Sequence, residues 1–273
     1  MSDPRRALEA IGALPDAEID IAGAALQLAR IDAPEADWLA AEAHLSSVAR
    51  EAAALAAVVA AEDGPTQAAA LAGLLAGQFG YAGDTETYDA LANANLIRVI
   101  ERRRGLPVAL GVLWLHAARA AGWEAHGVDF PGHFLVALAG GPAATVIDPF
   151  GGGTMLDARA LRALLRRREG AAAELRPGLL APAGARAVLL RLQNNIRLRR
   201  HQGGDVAGAL ASALDMLRMA PLEPALWWDT AMLHAELGQT GAALRCLGQF
   251  ADLVPAAAAQ AHAVMDELRS RRN

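Results

Sequence analysis

The sequence predicts an α+β protein. A helical N-terminal region leads to a core that joins one buried helix to a small antiparallel sheet, and paired helices close the chain. Three observations carry this expectation. Between Arg104 and Arg119 the chain bears no Asp, Glu or Arg, and apolar residues cover nearly every face of a helix, as in one buried on most sides. After Gly122 the pattern changes to short β-type runs at 123–130, 133–138 and 144–147, each broken by Gly or Pro. Beyond about residue 187, several residues recur with a spacing of 34.

Composition bounds the class before any motif is read. Hydrophobic residues make up 54% of the 273 and charged residues 20%, enough apolar matter for a sizeable core and too much for general disorder. The formal charge of −5 argues against nucleic acid as a partner, because that affinity rests on neutralising phosphates. Arg166–Arg168 and Arg199–Arg200 are local exceptions that read as solvated helix ends. A lone cysteine, Cys246, excludes an intrachain disulfide framework and fits a reducing compartment. The first dozen residues lack the apolar stretch of a secretory signal, and no apolar run reaches the ~20 residues of a membrane span. The expectation is a cytoplasmic protein without a membrane partner.

The N-terminal region reads as helices. Asp16 is a candidate N-cap for a segment to Arg30, with Ile19, Ala22, Leu26 and Ala29 on one face. Asp32-Ala33-Pro34 breaks it, and a long helix from Glu35 to Ala61 carries an apolar stripe of Trp38, Leu45, Val48, Leu55 and Val59. Pro65 opens another helix that ends near Gly80. Nothing in residues 1–92 has a chemical signature, and the region's expected task is to cover the core at 93–170. Asn95 suits a cap or brace for the lead-in helix. Pro107 suits the first turn of the buried helix and Gly122 the left-handed residue past its end. Asp157 suits the cap of a helix to Arg168, and a Gly/Pro-rich linker at 176–185 divides a first domain, 1–180, from a second, 186–273.

In the second domain Gly204 and Gly238, Ala209 and Ala243, Leu210 and Leu244, and Pro221 and Pro255 are each 34 residues apart. Gly between two helices, a small residue on the second and Pro at its end form the tetratricopeptide pattern, which presents a surface to a peptide or protein. Trp227 holds the aromatic position of the second repeat and is a candidate binding residue, whereas Gln193 occupies it in the first. A helix over 256–271 closes the stack.

The chemistry-bearing residues lie at 93–156. A buried helix followed by strands bearing His133 and then Asp148 has the order of a Cys-His-Asp acyl-transfer site, in which the His deprotonates the thiol and the Asp orients the His. The helix start, however, reads Leu106-Pro107-Val108-Ala109-Leu110-Gly111 and offers no Cys, Ser or Thr. The runs RRRGLPVALGVLWLHAARAAG, GVDFPGHFLV and IDPFGGGTML resemble the bacterial SirB-type family, which joins a transglutaminase-like (papain-like) region to tetratricopeptide-type helices. The resemblance covers roughly 15–185. It implies that His133 and Asp148 are the His and Asp of the triad and that Ala109, or a neighbour within a residue, stands where the nucleophile would.

The expectation is therefore a binding or regulatory module with a protein or peptide partner. A hydrolase in which the His133–Asp148 pair activates water is the alternative, and a protein-interaction scaffold working through the tail is a third reading. His116, two turns beyond Ala109, and Arg104, at the start of the buried helix, are further candidate binding residues. His116, His126, Asp129, His133 and Asp148 lack any metal-ligand spacing, and Gly151-Gly152-Gly153 lacks the Lys of a phosphate loop, so neither metal nor cofactor is expected.

Overall fold

The computed structural model describes residues 3–59, 63–140 and 143–270. The chain forms two compact units, Pro15–Leu192 and a second that joins Met1–Leu14 to Gln193–Asn273. The division differs from the expected one at its N-terminal end and by placing the later boundary after Leu192 rather than at 180–186, and the reason for the first is local. Helix α1 (Pro4–Ala13) packs on α9 (Val206–Met219), where Arg5 Nε bonds Asp215 Oδ1 at 3.0 Å and Gly12 leaves room for the carbonyl of Arg218. Asp215 has a side chain only 2% exposed, so removing Arg5 would leave a buried carboxylate short of a partner.

In the Pro15–Leu192 unit the helices are α2 (Ile21–Asp32), α3 (Trp38–Val58), α4 (Gly64–Ala72), α5 (Leu96–Arg102), α6 (Pro107–Ala120) and α7 (Ala158–Glu169). A wider π turn continues α4 over Gly73–Gln78. Asp37 caps α3 by accepting from the Ala40 amide, one turn later than expected, and the expected end at Ala61 lies outside the described residues. Asp16 is not the cap of α2. It accepts from the amides of Ala185 and Arg186, both at 2.8 Å, and so caps α8 (Ala185–Gln202) from far away in sequence. Asp157 caps α7 as expected, and Asn95 both caps α5 and donates to the carbonyl of Ala29 at 2.9 Å.

Helix α6 is buried on almost every side, from Pro107 to Ala118 except His116. It ends as its sequence predicts. Gly122 takes φ +70°, its amide bonds Arg119 O, and the Trp123 amide reaches back to Ala118 O.

Strands β3 (Ala125–Val128), β4 (Leu135–Leu138), β5 (Thr145–Asp148), β6 (Thr154–Met155) and β7 (Pro182–Ala183) form one antiparallel sheet in the order β6-β5-β4-β3-β7. The expected linker therefore contributes an edge strand. Pro182 pairs with Val128, and Pro is tolerated at such an edge because it needs no inward N–H. All four residues of β4 are buried because both faces are covered. Leu135 and Ala137 join Val128, Phe130, Leu161 and Leu165 in a core under α7, while α6 packs on β3 and β4. A separate parallel pair, β1 (Ala82–Gly83) with β2 (Arg104–Gly105), ties the end of α5 to the segment after the π turn.

The α6–sheet contact is set by one ring. A methyl group on Gly111 of α6 would fall 2.3 Å from Phe134 Cε1, and one on Gly127 of β3 would fall 2.7 Å from Phe134 Cζ. Phe134 thus occupies a slot that two glycines keep open.

The second unit continues with α10 (Pro224–Glu236), α11 (Thr240–Leu253) and α12 (Ala258–Ser270), each packed against the helix before it. Helices α9 and α11 are both 14 residues long, and Gly204 and Gly238 precede them with φ of +81° and +70°.

A Gly111→Ala substitution is expected to destabilise the protein by about 1–3 kcal/mol through overpacking against Phe134. In urea unfolding this reads as a lower midpoint at unchanged m. Gly248, within α11 and with open space around it, should show the opposite sign on substitution by Ala, a gain of roughly 0.5–1 kcal/mol.

Candidate functional site

His133 follows a tight turn. Its amide bonds Phe130 O at 2.9 Å, and Gly132 takes φ +68°, which a side chain would resist. The antiparallel register of β4 and β5, with Val136 opposite Ile147, then sets the end of β5 beside the start of β4. Nε2 of His133 meets Asp148 Oδ1 at 2.8 Å, and the same oxygen accepts the Phe150 amide at 3.0 Å. The two side chains are 13% and 18% exposed. A carboxylate only accepts, so Nε2 carries a proton, and in the neutral imidazole Nδ1 then presents a lone pair. Among the described residues, no hydroxyl or thiol hydrogen-bonds this imidazole.

Aromatic rings frame the pair. Phe150 stands edge-on to His133 at 6.0 Å, and Tyr88 edge-on to Phe150 at 5.8 Å. The Gly151–Gly153 loop is a turn and not an anion cradle. Its amides bond the loop's own carbonyls, Gly153 to Asp148 O at 2.8 Å and Gly152 to Pro149 O at 3.3 Å. Gly153 has no room for a side chain against Trp114 of α6. Helix α6 therefore touches both segments that carry the pair, Phe134 beside His133 and the loop after Asp148. Ala109, in the first turn of α6, is 0% exposed.

The other candidates go elsewhere. His116 Nε2 bonds Leu45 O at 3.0 Å, which makes it a core histidine of the α3–α6 contact. Arg104 donates to Gly80 O and Arg103 O. Trp227 lies in the second unit and donates to Pro221 O at 2.8 Å. Glu101 pairs with Arg98 and with none of Arg102–Arg104. Cys246 is buried among the helices of the second unit, and burial pushes its thiol pKa up. No cluster of three or more metal-ligating His, Cys, Asp or Glu side chains occurs among the described residues. A cavity of about 460 Å³, lined in part by Ile19, Leu115, Arg119, Trp123 and His126, does not reach His133 or Asp148.

Residues that sequence reasoning passed over complete the site. Arg191 of α8 donates to His133 O at 2.6 Å, pairs with Asp129, and lies 5.7 Å from the Phe134 ring centre. Its position next to a linker carried no signal of this. Tyr88 sits on a loop braced by Asp84, whose oxygens accept from Thr87 and from Arg102 Nη2 at 2.7 Å. The Thr87 hydrogen bonds, and then Arg102, hold the Asp84 carboxyl well below the usual range. A second polar cluster joins His44 of α3, Tyr81 and Arg103. Arg103 Nη1 lies 2.7 Å from His44 Nε2 and 2.5 Å from Tyr81 Oη, with a backbone φ of +55° that is rare for a residue with a side chain. Burial pushes Tyr81 up to about 12.

A family model for the transglutaminase-like superfamily matches residues 39–194. The chain belongs to this superfamily. It is 34% identical over 194 residues to a UPF0162 protein of Xylella fastidiosa, covering 70% of this chain and 69% of that one. A UPF0162 protein of Vibrio cholerae is 35% identical over 101 residues, 37% of each chain. F-box only protein 21 of Mus musculus is 30% identical over 172 residues, 59% of this chain and 26% of its own. No solved structure matches. Within the superfamily's fold no helix of the described residues is long and apolar enough to cross a membrane.

His44 provides a pH test of how the superfamily domain is braced. Burial, and then Arg103, lower its pKa from 6.5 to about 4. Between those values the unfolded chain binds a proton that the native one does not, so stability falls as pH drops from 6.5 towards 4. His44→Gln is expected to flatten that slope in urea midpoints measured across the window. Equal slopes would remove His44 from the account.

Proposed function

We propose that this protein is a catalytically silent, SirB-type member of the superfamily whose surface around His133, Phe150 and Tyr88 binds an extended peptide or protein segment. Ala109 carries the reading: the resemblance aligns it with the nucleophile position, and a fully buried methyl group there supports the absence of an attacking atom. In a well-studied serine-protease triad, loss of the nucleophile removes about a millionfold in rate. The remaining pair is better suited to recognition. With Nε2–H given to Asp148, Nδ1 accepts, so it fits a donor such as a backbone amide. Tyr88, 40% exposed, and Phe150 supply the aromatic surface that binding anchors use.

The 34-residue recurrence of α9 and α11, each behind a left-handed glycine, supports a tetratricopeptide-type tail as a second interaction surface. That the similar segment makes up 26% of F-box only protein 21 supports reading it as a module. One observation favours the hydrolase alternative: Nδ1 of His133 has no protein partner among the described residues and would suit a water.

Treating the full chain with a thiol- and serine-directed acylating probe is expected to yield no adduct that depends on His133. Alongside it, hydrolysis of an activated ester should be the same for wild type and His133→Ala. Peptides selected from a random display library on the wild type should lose binding to His133→Ala. A His133-dependent adduct or ester turnover would overturn the silent reading.

A further inference from the structure

We infer that Arg191 is a positioning residue for His133, whose guanidinium holds both ends of the turn that aims the imidazole. It deepens the reading above, since it concerns the same surface, yet its test requires no ligand.

The turn from Asp129 to His133 is anchored in the core at Phe130, but its two ends, at Asp129 and at the His133 carbonyl, lie outside that core. Asp129 is 65% exposed, Gly132 is exposed, and a single backbone hydrogen bond closes the loop. Arg191 holds both of those ends. One arm of its fork, Nη1, pairs with Asp129 before the turn, and the other, Nη2, donates to the carbonyl of His133 after it at 2.6 Å. The guanidinium also lies over the ring of Phe134, 5.7 Å from its centre. Val188, three residues earlier and so on the same face of α8, packs where a side chain on Gly127 would fall. Helix α8 thus bears on the turn and on the Phe134 slot together.

The consequence for His133 is geometric. Its carbonyl and its Cα–Cβ bond belong to one short unit, so an anchored carbonyl limits how far the imidazole can swing. The Nε2–H to Asp148 bond, at 2.8 Å, weakens steeply with misalignment. When that bond holds, Nδ1 keeps its lone pair and its direction. When it slackens, both tautomers are populated and the imidazole presents a mixture of donor and acceptor. Lysine cannot reproduce this, because a point charge does not span two acceptors as a planar fork does.

The experiment reads the tautomer directly, by nitrogen-15 NMR of the His133 ring in the full-length chain. Wild type should show the proton on Nε2. In Arg191→Met the bias between tautomers is expected to fall roughly tenfold. Arg191→Lys, which keeps the charge and the pair with Asp129, should shift it in the same direction and guards against a Met variant that does not fold. Asp129→Asn, which weakens one anchor and leaves the carbonyl bond in place, should lower the bias by less than Arg191→Met; a drop as large as that of Arg191→Met would place the effect at Asp129 and overturn the role of the carbonyl bond. If the Lys variant, or a folded Met variant, retains the wild-type tautomer even though its urea midpoint drops, Arg191 is only a structural clamp and the inference is overturned. Because no probe or peptide enters, such a result would leave the silent reading of Ala109 untouched.

Discussion

The slot occupied by Phe134 is the constraint on which the rest of this architecture depends. The ring lies between a glycine of α6 and a glycine of β3, and interiors packed to crystalline density transmit such a spacing without slack. His133 is the next residue back along the chain, and Val188 and Arg191 of α8 close over the same place. The distance between buried helix and sheet, the start of β4 and the seat of α8 are therefore one packing problem. The same closeness of α6 to the sheet sets where His133 stands relative to the buried helix.

The polar groups follow the same economy of placement. Asp148 spends one oxygen on both His133 and the Phe150 amide, which ties the imidazole to the Gly-rich turn. Asp84 gathers Thr87 and Arg102, and so keeps the Tyr88 loop near Phe150. His44, Tyr81 and Arg103 join α3 to the start of β1 with a neutral imidazole and phenol around one guanidinium. Partly buried polar groups of this kind are stable only when partnered, and each of the three sets is.

Much of the helix grammar was legible in the chain. Pro107 and Gly122 bound α6, and Asn95 and Asp157 cap the helices they precede, because these are short-range rules acting within a few residues. Asp16 shows where such rules stop. Its side chain suits a cap, but it caps a helix that begins at Ala185. The Gly/Pro-rich stretch before that helix reads as a linker, yet Pro182 and Ala183 pair with β3 because Gly127 and Val128 offered a free edge. At the site, His133 and Asp148 stood out through the motifs around them, whereas His116 and Arg104 had plausible spacing and went to main-chain carbonyls instead. Nothing near Arg191 in the chain marks it, since its partners lie 58 and 62 residues away.

By itself the sequence determined that helices flank a short antiparallel sheet, which helix is buried, and that its start holds no Cys, Ser or Thr, because periodicity, caps and residue identity are local. Only the tertiary structure decided which side chains meet: α1 with the C-terminal helices, Phe134 with its two glycines, Arg191 with the His133 turn. Those meetings depend on register and on close approach between distant segments, and neither is written in the spacing of residues along the chain.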